Sequence, residues 1–313
     1  MKKPFLKRLK HGSGDFAAEV ILSIAVLIFR RLREKRVVSM ARILGTVAFH
    51  FFRGYRRRVI ANLSFAFGQE KRPDEIHRLA RDVFYHLVLT PLETIYSAAS
   101  AIRTHQLSPE ISIDGKERLD EALSRGRGVI ALGAHFGSFT MLGARLGAER
   151  CPVDLVINEG PFPKFWGKLA FYQSLLGQKT FTPRSAFSAI SKSLNCLRRN
   201  EILYLMGDEA QRHGGIPVPF FGRPAFTPPG PAMFSVKTGA PILPMFVVRG
   251  NEFQRTLVIG SPIEIERTSE EKKDIETLTT RFTKAIEEIV RQYPGQWAWL
   301  NRRWKAPHTT RES

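Results

Sequence analysis

The sequence feature that most constrains the fold is an alternation of short apolar runs with helical segments after about residue 111. The runs have the length and composition of buried strands and lie at 128–133, 153–157, 202–206, 242–248 and 256–260. Helical segments are predicted near 139–148, 164–177, 185–199, 230–238 and 269–293. Such alternation is typical of an α/β fold with a mostly parallel central sheet flanked by helices. Functional residues in these sheets lie just beyond the carboxyl ends of the strands.

The N-terminal part of the chain reads as helical up to about residue 110 and is strongly basic. Residues 1–60 carry 15 Lys or Arg and three Asp or Glu, and they supply most of the formal charge of +19. Within them, residues 16–29 form an apolar stretch, interrupted by Glu19 and Ser23, that is shorter than the roughly 20 residues a bilayer span needs. We therefore predict a basic, amphipathic, membrane-associating helical extension at 1–60 and a separate domain at 61–313.

A second amphipathic stretch, residues 37–52, ends in the cluster 55–58, which places Tyr and three Arg where anionic headgroups would lie. An ordinary helical hairpin on the core, with a solvated basic face, is the alternative.

No nucleic-acid recognition motif accompanies the basic residues, so we do not expect a nucleic-acid partner. Cys151 and Cys196 lack metal-ligand spacing, which predicts neither a metal site nor a disulfide framework and suits a reducing compartment.

His135 is the first candidate for chemistry. It lies in Gly-Ala-His-Phe-Gly, 133–137, directly after an apolar strand and before a helical segment. A neutral imidazole in that place can take a proton from a hydroxyl, and Gly137 would allow close backbone approach in a substrate-binding loop. A lone His is more often a satisfied polar residue. Ser138 is a poorer nucleophile candidate, because its surroundings are not Gly-x-Ser-x-Gly.

Another polar segment follows the apolar run 202–206. It contains Asp208, Glu209 and Arg212, and it should reach the same edge of the sheet as His135. A solvated turn is the alternative interpretation.

The third candidate segment is the Pro- and Gly-rich stretch 218–231. Phe220 and Phe221 are apolar enough to line a groove for an apolar chain, and Arg223 is able to bind a phosphate. A rigid structural loop with its aromatic rings in the core explains the same pattern.

These segments, in this order, resemble the lipid A biosynthesis acyltransferases, the lauroyl and myristoyl transferases of the lysophospholipid acyltransferase superfamily. The likeness covers about residues 15–305 and is carried by 56–67, 133–137, 207–208, 219–224, 227–231, 238–244 and 293–305. It implies a glycerolipid acyltransferase-like fold, with 61–313 as the acyltransferase domain. The implied reaction moves an acyl group from an acyl carrier protein or acyl-CoA thioester to a phosphorylated lipid, such as a lipid A precursor, without a cofactor. The implied location is the cytoplasmic face of the inner membrane, held peripherally or by a single N-terminal anchor.

One part of the family pattern is absent. The family motif His-x4-Asp/Glu supplies a base and a carboxylate; His135 matches the base, but Thr140 stands at the acidic position. The enzyme could use Thr140 in a weaker pair, or another carboxylate could replace the missing one, or the chain could be a lipid-binding homologue with weakened catalysis. We favour replacement, by Asp208 or Glu209 and less readily by Glu159, because Asp208 falls where the family carries an acid beside the active site.

Overall fold

The computed structural model describes residues 15, 18–104, 111–149, 151–156, 163–175, 177–181, 185–251, 254–265 and 267–304. Most of residues 1–17 and Glu159 lie outside the described residues. Up to residue 104 the described residues form four helices, in agreement with the helical pattern of this part of the sequence: α1 at 18–29, α2 at Glu34–Phe51, α3 at Arg53–Phe67 and α4 at Pro73–Thr104. Within the described residues, no helix combines the length and the apolarity that crossing a bilayer requires.

Helices α2 and α4 are in backbone contact. At Gly45 an added Cβ would stand 2.8 Å from the Cα of Tyr85, so only glycine allows the helices to lie this close. Residue 60 falls inside α3, which contributes Val59, Leu63 and Phe67 to the main core. The division of the chain at residue 60 stays a prediction.

The described residues form a seven-stranded central sheet in the order β1-β9-β8-β2-β5-β3-β4. Its strands are β1 Ile111–Asp114, β2 Val129–Gly133, β3 Val153–Val156, β4 Gln178–Phe181, β5 Ile202–Met206, β8 Ile242–Arg249 and β9 Arg255–Ile259. Neighbouring strands are parallel except β8 and β9, which are antiparallel. The prediction of a mostly parallel sheet is confirmed. A separate antiparallel hairpin joins β6, Ile216–Phe220, to β7, Arg223–Thr227.

Helices cover both faces of this sheet. The remaining helices are α5 Lys116–Ser124, α6 Leu142–Ala148, α7 Pro163–Ser174, α8 Ala186–Arg198, α9 Gly230–Thr238 and α10 Glu271–Gln292. Ile130 and Leu132 of β2 join the core cluster that contains α8, α9 and α10, whereas Val129 and Ala131 join the one that contains α5 and α6. Alternate side chains of a strand point to opposite faces, so a strand buried on both sides is apolar throughout.

Candidate active site

The register of β2 and β5 brings the two polar segments together. Gly133, the last residue of β2, is aligned with Met206, the last residue of the parallel strand β5. The next residues of both strands therefore leave the sheet at the same edge, and the Gly207 amide donates a hydrogen bond to the Gly133 carbonyl. His135 and Asp208, two residues beyond each strand, become neighbours through this register.

The His135 ring and the Asp208 carboxylate form a hydrogen-bonded pair. The Nδ1 of His135 lies 3.0 Å from the Oδ1 of Asp208, and the His135 backbone N–H donates to Oδ2 at 2.9 Å. The indole N–H of Trp297 donates to the same Oδ2 at 2.8 Å. Asp208 is fully buried, whereas the His135 side chain is 29% exposed. The carboxylate is thus fixed inside the protein and holds a ring that is partly exposed.

Each member of the pair favours the charged form of the other. Burial alone would lower the pKa of His135, but the charge of Asp208 and its hydrogen bond to the ring raise that pKa to about 9. Burial alone would raise the pKa of Asp208, yet His135 and the donated hydrogen bonds bring it below its usual range. The imidazolium of His135 and the carboxylate of Asp208 therefore stabilise each other.

Glu209 is the second acid near the ring. Its Oε1 lies 3.8 Å from the Nε2 of His135, which is beyond hydrogen-bond distance, and its side chain is exposed. Asp208, rather than Glu209, therefore holds the ring.

Gly137 shapes the backbone after His135. It has a φ of +55°, and a Cβ at this position would stand 2.1 Å from the carbonyl oxygen of Val247. The amides of Gly137 and Ser138 donate to the carbonyls of Gln296 and Val247. The structure therefore shows a steric requirement for glycine here, and contact with a substrate stays a prediction.

The hydroxyls that follow His135 have other partners. The Ser138 side chain is completely buried and donates to the Oε2 of Glu93 at 2.9 Å, so it is not an exposed nucleophile. The Thr140 hydroxyl lies 2.7 Å from the Thr94 hydroxyl and pairs with it instead of the His135 ring. The position that carries the acid in the family motif therefore does not supply the partner of the base here.

The two residues predicted to line a groove are buried in the core. Phe220 is completely buried and packs against Trp297 and Trp304, and Phe221 packs against Phe67 and Trp299. The aromatic cluster of the C-terminal segment encloses both rings, and their contact with an acyl chain stays a prediction. The rigid-loop alternative describes this hairpin.

The two arginines predicted to bind substrate lie at the surface or close to it. Arg223 is exposed on β7, with its guanidinium carbon 3.8 Å from the centre of the Phe65 ring. Arg212 is half-buried in the turn that follows Asp208. Their binding roles stay predictions.

A cavity of about 530 Å³ opens between α10 and the β8–β9 pair. Its lining includes Phe246, Val258, Ile263, Arg281 and Lys284 but not His135. His135 therefore does not lie at this cavity.

One group of potential metal ligands lies among the described residues. Asp154, Cys196 and Glu201 place ligand atoms within 4.8 Å of one another. Arg199 pairs with both carboxylates and Lys179 pairs with Glu201, so this group is an ion-pair cluster.

Sequence reasoning missed the contribution of the C-terminal segment 293–304 to the site. Besides Trp297, this segment contains Arg303, which is buried and donates to the carbonyls of Glu209 and Phe226 and to the Thr227 hydroxyl. The Trp-rich composition of this segment could have indicated its role. A buried indole N–H requires an acceptor, and a buried carboxylate is one such acceptor.

The chain matches the family model described as bacterial lipid A biosynthesis acyltransferase over residues 4–306. It is 27% identical over 201 residues to the phosphatidylinositol mannoside acyltransferase of Mycobacterium tuberculosis (strain ATCC 25618 / H37Rv), covering 62% of this chain and 60% of that relative. It is 22% identical over 268 residues to the lipid A biosynthesis lauroyltransferase of Escherichia coli (strain K12), covering 84% of this chain and 83% of that relative. The match to the Mycobacterium tuberculosis enzyme thus spans 60% of that enzyme's length.

Proposed function

The chain belongs to the bacterial lipid A biosynthesis acyltransferase family, and from this membership we propose that it is an acyltransferase for membrane glycolipids. The fatty acyl group comes from an acyl carrier protein or acyl-CoA thioester. The acceptor is a hydroxyl of a phosphorylated glycolipid, a lipid A precursor or a related molecule. The His135–Asp208 pair is the observation that carries this proposal.

In the proposed mechanism, the Nε2 of neutral His135 takes the proton of the acceptor hydroxyl while the hydroxyl oxygen attacks the thioester carbonyl. Asp208 accepts the Nδ1–H of the ring and stabilises the imidazolium that forms, as in other His–carboxylate pairs. The tetrahedral intermediate then expels the thiolate, which takes the proton from Nε2. The products are the acylated lipid and the free thiol, with no metal or cofactor required.

The charge of the chain supports an anionic donor and acceptor. The formal charge is +19, and acyl carrier protein, CoA and phosphorylated glycolipids are all anionic. The relatives are named for phosphatidylinositol mannoside and for lipid A, both of which are glycolipids. Arg223 remains our proposed phosphate contact, Arg212 a proposed substrate-binding residue, and Glu209 our proposed second acid beside Nε2.

The proposed location is the cytoplasmic face of the inner membrane. Helix α1 exposes Ile21, Ile24 and Ile28 on one face, and α2 exposes Ile43, Leu44, Val47 and Phe51. Exposed aliphatic faces beside clustered Lys and Arg are typical of helices that lie in the headgroup region of an anionic membrane. We propose that these helices attach the protein to that membrane peripherally.

The proposal is tested by incubating the purified protein with acyl carrier protein or CoA thioesters. A lipid A precursor and a phosphatidylinositol mannoside serve as acceptors, and mass spectrometry detects the product. We expect an acylated lipid, and a loss of at least about 100-fold in rate for His135→Ala, since positioned bases contribute about 10²- to 10⁴-fold. Asp208→Asn should also lose most activity, while Thr140→Ala, which removes a hydroxyl bonded to Thr94, should keep it. Lipid binding without turnover would instead support the lipid-binding homologue, and full activity of Asp208→Asn would exclude Asp208 as the partner.

A further inference from the structure

The Asp208 carboxylate has two oxygens with different partners. Oδ1 faces the His135 ring, whereas Oδ2 accepts from two groups, the His135 backbone N–H and the Trp297 indole N–H. A buried carboxylate is able to rotate about its terminal torsion unless donors fix both oxygens. The Trp297 N–H is the only side-chain donor that the described residues provide to Oδ2.

The backbone around Trp297 is joined to the backbone of the base. Phe136 and Trp297 form an antiparallel bridge, and the Ala298 amide donates to the carbonyl of His135 at 2.9 Å. The Gly137 amide donates to the carbonyl of Gln296 at 2.9 Å. One short segment therefore holds the loop of His135 through its backbone and the carboxylate of Asp208 through a side chain.

The Trp297 ring has no free surface with which to meet a substrate. It is 1% exposed and lies between Phe220 and Trp299, with ring centres 5.5 and 4.7 Å away. The Trp297 side chain can therefore affect the reaction only through the groups that it contacts, and its one side-chain hydrogen bond among the described residues goes to Asp208.

We propose that Trp297 is a positioning residue: its indole N–H fixes the Asp208 carboxylate so that His135 keeps its proton on Nδ1 and presents Nε2 to the acceptor. This proposal rests on the proposed function of His135 as the base. Without the N–H, Oδ2 keeps one donor, the carboxylate turns more freely, and the ring spends less time in the productive orientation. Because chemistry slows while substrate contacts remain, the loss falls on kcat and not on KM.

The fold offers a matched control. Trp299 is equally buried and lies in the same aromatic cluster, but its indole N–H donates to the carbonyl of Pro294 at 2.7 Å. Trp297→Phe and Trp299→Phe therefore remove the same ring volume and one indole hydrogen bond each. Only the first touches Asp208.

The experiment measures kcat and KM for both variants, together with the ring ¹H and ¹⁵N resonances of His135 in the resting protein. For Trp297→Phe we expect kcat to fall about 10- to 100-fold with KM within about twofold, a range typical of lost supporting hydrogen bonds. The downfield Nδ1–H resonance of the His–carboxylate hydrogen bond should shift or broaden. Trp299→Phe should keep both the resonance and kcat, even if its thermal stability falls equally.

Equal losses of kcat in the two variants, or an unchanged Nδ1–H resonance in Trp297→Phe, would overturn the positioning role. The resonance is observed without substrate, so it tests Trp297 even if the protein proves to have no transferase activity. Failure of the proposed function would appear separately, as turnover that persists in His135→Ala.

Discussion

At the residue scale, the His135–Asp208 pair determines how the site responds to pH. A general base must be neutral, yet Asp208 raises the pKa of His135 to about 9 against the effect of burial. We therefore expect kcat/KM to rise about tenfold per pH unit below about pH 9 and to level off above it. Initial rates measured from about pH 6 to about pH 10, in buffers of constant ionic strength, give this profile.

The matched variant for this profile is Asp208→Asn. Asparagine removes the charge that raises the pKa of His135, so the remaining activity should level off at a lower pH than in the wild-type protein. A wild-type profile that is flat between about pH 7 and about pH 9 would contradict the assignment of His135 as the titrating base.

Gly137 offers a second prediction at a single residue. In Gly137→Ala, the new methyl carbon would lie 2.1 Å from the carbonyl oxygen of Val247. The alanine would also have to adopt a φ of +55°, which is unfavourable for residues with a side chain. We expect a loss of about 1–3 kcal/mol in unfolding free energy, together with loss of activity, because His135 lies two residues away. Urea unfolding measures the first effect.

Gly54→Ala is the control for this steric argument. Gly54 lies in α3 with nothing within 4 Å of an added Cβ, so alanine should be neutral or stabilising by up to about 1 kcal/mol. Equal destabilisation of the two variants would show that the cost does not come from the loop of His135.

At the element scale, the sequence predicts the central strands well and the outer ones poorly. Strands β2, β5 and β8 are buried on both faces, so each appears as a continuous apolar run. The edge strands β1 and β4 read Ile-Ser-Ile-Asp and Gln-Lys-Thr-Phe, and neither was predicted, because an edge strand need not be apolar throughout. Strand β6 contains two prolines, which argue against a strand in sequence but are tolerated in a two-stranded hairpin.

The candidate site likewise contains residues whose positions the sequence predicts and residues whose positions it does not. The positions of His135 and Asp208 follow from the strands that precede them, since parallel strands end at one edge of the sheet. The burial of Phe220 and Phe221 could not be predicted, because an apolar ring suits a groove and a core equally well. Trp297 is 89 residues from Asp208 in sequence, so only the folded chain reveals their hydrogen bond.

Helix α2 carries a prediction about the membrane. Its exposed Ile43 lies on the apolar face together with Val47 and Phe51. Burying such a side chain in an apolar phase contributes about 1.5–3 kcal/mol. We therefore expect Ile43→Asp to weaken binding to anionic vesicles about tenfold or more, as measured by vesicle sedimentation.

Thr280→Asp supplies the control for charge. Thr280 is exposed on α10, and its replacement adds the same negative charge away from the α2 face. Both variants should keep the thermal stability of the wild-type protein, because both positions are exposed. If Ile43→Asp and Thr280→Asp weakened vesicle binding equally, the added negative charge, and not the loss of the apolar face, would explain the weaker binding.

At the scale of the whole molecule, a buried ion network joins the N-terminal helices to the sheet and to the loop of His135. Glu93 of α4 accepts hydrogen bonds from Arg249 of β8 and Arg255 of β9, and all three side chains are buried. Arg255 also pairs with Glu34 of α2, and Ser138 donates to Glu93. Displacement of Glu93 would therefore disturb the sheet, two helices and the site loop together.

The network predicts a large cost for Glu93→Gln, which leaves Arg249 and Arg255 buried with their shared carboxylate removed. We expect a loss of about 3–5 kcal/mol in unfolding free energy, against at most about 1 kcal/mol for Asp120→Asn in the exposed pair with Lys116. Burial would raise the pKa of Glu93, but the two arginines lower it below 4.5, so its stabilisation is present above pH 4.5 and lost as the pH falls further. Urea unfolding at neutral pH and at about pH 4 should therefore show the gap between wild type and Glu93→Gln narrowing in acid. If Glu93→Gln lowered the unfolding free energy no more than Asp120→Asn does, the ion network would not account for the attachment of α4 to the sheet.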